Sequence, residues 1–178
     1  MKAFLLNGPP RSGKDTAGEM LRGLTGGTLF KFADAVKTGA HTLHGFGWAD
    51  AAYFEEVKEV PQEYLDGKTW RQAYIEFSEK MVKPVLGSDF FGKALVRKLK
   101  NHAAHGFVAI VTDCGFAEEI RHVIDYAGSE NVRLIRMYRD GCTFEGDSRS
   151  YLHAAVRNCE IRNNGTLVEL REKLKGAI

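Results

Sequence analysis

A short apolar run, Lys2 to Asn7, leads directly into Gly8-Pro9-Pro10-Arg11-Ser12-Gly13-Lys14. The loop fits the pattern G-x-x-x-x-G-K, which demands a strand before it and a helix after it. The sequence supplies both. Lys2–Asn7 reads as a buried strand stopped by the Gly-Pro-Pro punctuation. Ala17, Met20, Leu21 and Leu24 recur at helical spacing from about Gly13 to Leu24, and Gly26-Gly27 ends the run. Glycines let the backbone curl so that several N–H groups converge on one anion, and the helix N-terminus adds partial positive charge. Lys14 contributes a full charge, so the loop points to a polyphosphate ligand.

The rest of the chain repeats the strand–helix alternation. Thr28–Ala33 is a strand candidate, followed by a helix over Asp34–His44. Gly45–Gly67 is aromatic and acidic and has no clean period. Trp70, Ala73, Tyr74, Phe77 and Met81 restore helical spacing until Pro84 and Gly87, and a further helix runs from about Asp89 to His102. Phe107–Thr112 is the clearest buried strand and ends on Asp113; a helix with Ala117, Ile120, Val123, Ile124 and Ala127 inward follows. Val132–Tyr138 and Cys159–Arg162 are the last strands, and Thr166 caps a final helix bearing Leu167, Leu170 and Leu174. This alternation predicts an α/β three-layer sandwich around a five-stranded parallel sheet, with the strand-end loops on one ligand-binding edge. One domain is expected over residues 1–178.

Composition narrows the function. The formal net charge of +2, from 25 Lys+Arg against 23 Asp+Glu, argues against a nucleic-acid polymer or a membrane surface as partner. An anionic ligand must be met by a local cluster. Three cysteines (Cys114, Cys142, Cys159) without paired spacing exclude a disulfide framework and fit a reducing, cytoplasmic compartment. The N-terminal apolar run is too short for a signal peptide, and no run suffices for a membrane span.

Several residues carry candidate chemistry. The residue after Lys14 is Asp15 where the pattern has Ser or Thr, and Thr16 follows. Asp15 is either an oxygen ligand for Mg²⁺ or the mark of a loop that binds phosphate without turnover. Asp113, ending an apolar strand, is either a second metal ligand or a helix cap. Asp34 is either an N-cap or a metal- or sugar-contacting group. His41/His44 and His102/His105 have a metal-compatible spacing but lack a third ligand. Trp70, Tyr74 and Phe77 read as core, whereas Tyr53 and Phe54 are expected to be freer to stack on a base.

Taken in order, these motifs resemble the bacteriophage deoxynucleoside monophosphate kinases, a branch of the P-loop nucleoside monophosphate kinases. The family's loop reads R-S-G-K-D-T, as do Arg11 to Thr16. FADAVK (Phe32–Lys37) is similar to its F-A-D-P-L-K, and Arg71 with Gly87-Ser88-Asp89 to its helix Arg and G-T-D/E element. Asp113, Phe116 and Glu119 match D-x-R-F-x-x-E, with Gly115 in place of the Arg. Arg139 matches the Arg ending a strand, and NNGTLVEL (Asn163–Leu170) the closing N-D-G-S/T-L-x-E-L. Asp147-Ser148-Arg149 keeps the Asp of D-x-H-x-x-E and carries Arg where His is usual.

The resemblance implies a P-loop NTPase-like fold with a small helical acceptor region, approximately 34–90, and a short lid, approximately 139–157. It implies transfer of the γ-phosphoryl of ATP to a deoxynucleoside 5′-monophosphate with Mg²⁺, in a homodimer, within the host cytoplasm if the source is a phage. Gly8, Arg11, Ser12, Gly13, Lys14, Asp15, Thr16 and Asn163 would hold ATP; Asp34, Lys37 and Arg71 the acceptor; Asp15 and Asp113 the metal. Lys14, Arg139 and Arg149 would act on the transferring group. The alternatives are another P-loop kinase acting on a phosphorylated metabolite, and a nucleotide-binding protein without turnover.

Overall fold

The computed structural model describes residues 1–47, 51–102 and 107–178. His105 and residues 48–50 of the Gly45–Gly67 stretch lie outside them. The described chain divides into two compact units: Met1–Phe32 with Gly92–Ile178, and Ala33–Phe91.

The first unit is built on a parallel five-stranded sheet. Its elements are β1 (Lys2–Asn7), α1 (Lys14–Thr25), β2 (Thr28–Phe30) and, after the second unit, α6 (Phe90–His102) from Gly92 onward, β3 (Val108–Cys114), α7 (Ala117–Ala127), β4 (Val132–Tyr138), β5 (Arg157–Arg162) and α8 (Leu167–Ala177). The strand order is β2-β3-β1-β4-β5, with β1 at the centre. Leu5 pairs with Val111 on one side and Leu134 on the other. Side chains alternate across a strand, so β1 feeds two cores. Ala3 and Leu5 pack with Val111, Leu134, Leu95 and Leu99 of α6, and Ile120 and Val123 of α7. Phe4 and Leu6 pack with Ile110, Ile135, Ala17 and Leu21 of α1, and Leu170 and Leu174 of α8. These two apolar layers make the expected three-layer α/β sandwich.

Two strands differ from their sequence-based bounds. β2 stops at Phe30 rather than Ala33, because the Phe32 amide donates to Asp113 Oδ1 at 2.9 Å instead of joining the ladder. β5 begins at Arg157, two residues earlier than its pattern suggests, since Arg133 and Leu134 of β4 pair with Arg157 and Asn158. No helix among the described residues is long and apolar enough to cross a membrane.

The second unit contains α2 (Ala33–Leu43), α3 (Ala51–Glu56), a 3₁₀ turn (Glu63–Leu65), α4 (Trp70–Glu76), a π-helical stretch (Phe77–Val82) and α5 (Lys83–Leu86). Thr69 opens α4 with a capping box to Gln72. Pro84 does not end the helical path, contrary to the reading from sequence. The backbone widens into π turns just before it, with the Lys83 amide donating to the Ser78 carbonyl, and Gly87 supplies the stop. The core is Phe54, Leu65, Trp70 and Ala73, with Phe46 and Tyr74 against it. Trp70 is core, as its spacing indicates. Phe54 is not available to stack on a base: it is 2% exposed and its ring lies 4.8 Å from Trp70. Tyr53 remains exposed.

Candidate functional site

Between β1 and α1 the chain makes a tight loop that glycine makes possible. Gly13 has φ 94°, in the left-handed region, and a Cβ there would run into the Asn163 amide. A Cβ on Gly8 would stand 2.6 Å from the Met137 carbonyl of β4, so only glycine lets the loop pass so close to the sheet. Arg11 adopts φ 65°, a conformation side chains rarely take and one associated with functional loops. From the far side Asn163 Nδ2 donates to the Ser12 carbonyl at 3.0 Å, while its own amide donates to the Tyr138 carbonyl at 2.7 Å.

The loop delivers the start of α1 without a side-chain cap; Gly13 holds the N-cap position. The first-turn amides of α1 are therefore left to an external acceptor, whereas α4 and α8 close theirs with capping boxes. The Lys14 ammonium folds back over the loop and donates to the Gly8 and Pro9 carbonyls, each at 2.7 Å. Burial, and then the charge of Arg149, push the Lys14 pKa below the ordinary lysine value. The Ser12 hydroxyl is fully buried and has no hydrogen-bond partner among the described residues.

Carboxylates gather beside the loop. Burial alone would raise Asp15, yet the Lys31 ammonium at 2.7 Å and the Thr112 hydroxyl at 3.1 Å hold it below the usual carboxylate value. Asp113, next to Thr112, ties β3 to Phe32. Asp15 and Asp113 are hard oxygen donors of the chemical type Mg²⁺ takes, and Asp15 already draws the Lys31 ammonium. Among the described residues no group of three or more His, Cys, Asp or Glu side chains could hold a metal by itself. Thr16 is exposed in the first turn of α1.

The stretch between β4 and β5 carries three further predicted residues. Arg139 is exposed and donates to the Arg11 carbonyl at 3.4 Å. Asp147 grips Arg149: Oδ1 accepts from Nε at 2.8 Å and Oδ2 from Nη2 at 2.5 Å. Thus Lys14, Asp15, Asp113, Arg139, Arg149 and Asn163 all belong to the first unit.

Sequence patterns did not single out Asn7, Lys31 or Thr112. Asn7 is fully buried, donates to the Cys114 and Ser150 carbonyls at 2.8 and 3.0 Å, and accepts from the Leu152 amide at 3.0 Å. A polar residue ending a buried apolar run was the available signal for Asn7 and Thr112; Lys31 had none.

The predicted acceptor residues lie in the second unit. Asp34 sits within the first turn of α2, inside the helix rather than at its cap. Lys37 is ion-paired with Glu55, which also accepts from Lys58 at 2.7 Å. Arg71 Nε donates to Glu59 at 2.7 Å. His41 is taken by the core: it is hydrogen-bonded to the Tyr74 hydroxyl at 2.7 Å and stacks on Phe54. His102 bonds to Thr28 at 3.2 Å.

No protein-family model matches the chain, and no curated protein does. Solved structures do match. A sugar kinase from Janibacter sp. HTCC2649 is 9% identical with a TM-score of 0.53, over 99% of this chain and 94% of that one. A gluconokinase from Sinorhizobium meliloti 1021 is 11% identical with a TM-score of 0.53, over 99% and 90%. A dephospho-CoA kinase from Campylobacter jejuni is 15% identical with a TM-score of 0.48, over 98% and 94%. The chain shares the α/β fold of the sugar kinase and the gluconokinase. At these identities the likeness concerns the fold alone.

Proposed function

We propose that the chain transfers the γ-phosphoryl of ATP to a deoxynucleoside 5′-monophosphate, giving ADP and the diphosphate. The observation that carries this reading is the state of the loop. An uncapped helix N-terminus and a lysine ammonium parked on the loop's own carbonyls form a cationic cradle built for a polyphosphate. The order of motifs from RSGKDT to NNGTLVEL supports the nucleotide as acceptor.

The chemistry follows from charge. Phosphoryl transfer requires two phosphates held in line and their charge neutralised, with little covalent work for the protein. The acceptor is itself an anionic phosphate, so no general base is needed. In this reading the loop amides and Lys14 hold the β- and γ-phosphates, Lys14 leaving the Gly8 and Pro9 carbonyls to do so. Arg139 and Arg149 meet charge on the transferring group, and Lys37 and Arg71 bind the acceptor phosphate. Arginine suits these roles because its planar fork meets phosphate bidentately. Asp15 and Asp113 would hold Mg²⁺, which neutralises charge between the phosphates when bound.

A second reading comes from the structural neighbours, whose names are those of sugar and gluconate kinases. A sugar or gluconate acceptor would offer a hydroxyl, which calls for a base to take a proton. The deciding experiment incubates the protein with Mg·ATP and, separately, each deoxynucleoside monophosphate, gluconate and phosphorylated sugars, and follows ADP. ADP formed only with a nucleotide is the expected result. ADP with gluconate or a sugar would transfer the reading to that class, and tight ATP binding with every acceptor silent would make this a nucleotide-binding protein without turnover.

A further inference from the structure

Gly115 follows β3 directly and is buried. Its backbone does not demand glycine, because its φ lies outside the left-handed region. What excludes a side chain is Arg149. A Cβ on Gly115 would stand 2.5 Å from Arg149 Cγ and 3.1 Å from Arg149 Cβ, with Cδ closer still. The aliphatic stem of Arg149 therefore lies flat on the Gly115 backbone.

The rest of Arg149 is fixed as well. Asp147 Oδ1 accepts from the Arg149 amide at 3.0 Å and from Nε at 2.8 Å, so backbone and guanidinium are held by one carboxylate. The next residues are anchored to the end of β1. Asn7 donates to the Ser150 carbonyl, and the Leu152 amide donates back to Asn7. Cys114, just before Gly115, pairs with Asn7, just before Gly8, so the Arg149 stem lies where the sheet meets the phosphate loop. The guanidinium charge is felt at Lys14, where Asp15, Asp113 and Asp147 offset it. A cation held in place by the protein's own groups loses little affinity to being ordered.

We propose that Gly115 is a positioning residue: by leaving room for the Arg149 stem it seats the guanidinium, with Asp147, beside the phosphate loop as a receptor for the terminal phosphate of a polyphosphate. The proposal rests on the phosphate-loop reading given above. Gly115 touches no substrate; it acts through Arg149.

The test uses inorganic tripolyphosphate binding to the full chain by calorimetry, which needs no acceptor and no turnover. Arg149→Ala and Gly115→Ala should each weaken binding by about 10- to 100-fold, the range for loss of one charged contact. In the Arg149→Ala background, Gly115→Ala should change nothing further, since the clash is gone. Parental affinity in Gly115→Ala, or an equal loss in both backgrounds, would overturn the proposal while Lys14→Ala still abolishes binding. If Lys14→Ala also binds normally, the phosphate-loop reading falls and takes this inference with it. Should Gly115→Ala alone fail to fold, the Gly115→Ala/Arg149→Ala chain must recover the fold; a double variant that stays unfolded sinks the seat.

Discussion

Burial and the Arg149 charge both work against a protonated Lys14, and two loop carbonyls hold it in place. Asp15, Asp113 and Asp147 offset burial and the Arg149 charge in part, and a bound polyphosphate would add counter-charge. Lys14→Ala should therefore abolish phosphoryl transfer and leave the fold unchanged, because the hydrogen bonds its ammonium makes are to two carbonyls of its own loop. Single electrostatic contacts of this kind are worth about 3–4 kcal/mol, roughly 10²- to 10³-fold in kcat. Near-parental turnover with an unaltered melting curve would reject the role. The loop was legible residue by residue, since Gly8, Gly13 and Lys14 each answer a local steric or electrostatic demand that a sequence pattern records. Asn7 and Thr112 were not, because no local pattern encodes a partner 143 or 97 positions away, and Lys31 was not, because its partner Asp15 lies on another element, α1. The two departures from the resembled pattern, Gly115 and Arg149, looked independent in the sequence, yet in the fold they are in contact.

β1, β3 and β4 were legible because each is built on a short apolar run, and β1 and β4 fall on their expected bounds. β5, Arg-Asn-Cys-Glu-Ile-Arg and mostly exposed, lacks such a run, so its start was missed. The second unit was harder: an aromatic cluster from several short helices leaves no single period. Its centre is His41, faced by Lys37 on its own helix, by Glu55 and Phe54 of α3, by Trp70 and Tyr74 of α4, and by His44. Burial, then the Lys37 charge, hold the His41 pKa below its ordinary value of 6.5, so the folded protein keeps the imidazole neutral where the unfolded chain would protonate it. Stability contributed by the neutral ring is thus complete above about pH 6.5 and is lost as pH falls below it toward the depressed folded pKa. Glu55 acts in a lower window: its bonds to Lys37 and Lys58, outweighing burial, bring its pKa from 4.5 to about 2, so its contribution is lost only as pH falls below 4.5. Denaturant midpoints followed from pH 7 to 5 should drop in the parent and drop less in His41→Phe. Parallel curves for the two proteins would show that His41 does not set this dependence.

At the scale of the whole molecule the proposed labour is divided between the compact units: donor groups belong to the sheet-based unit, acceptor cations to residues Ala33–Phe91. Both cations proposed for the acceptor are neutralised by carboxylates, Lys37 by Glu55 and Arg71 by Glu59. An exposed pair such as Arg71–Glu59 contributes only about 0.2–1 kcal/mol, so a phosphate that accepts two hydrogen bonds from the guanidinium can displace the glutamate. Arg71→Ala should therefore raise the acceptor KM and lower kcat, with ATP affinity nearly unchanged. Losing one charged contact should cost about 1.5–3 kcal/mol in kcat/KM, or roughly 10- to 150-fold. Arg139→Ala should behave differently. Arg139 is exposed beside the Arg11 carbonyl of the phosphate loop, where it can meet charge on the group in transit, so its loss should appear in kcat and spare the acceptor KM. Initial rates with ATP and acceptor varied independently separate the two effects. An Arg71→Ala enzyme that binds ATP poorly and its acceptor normally would reverse the assignment of substrates to units.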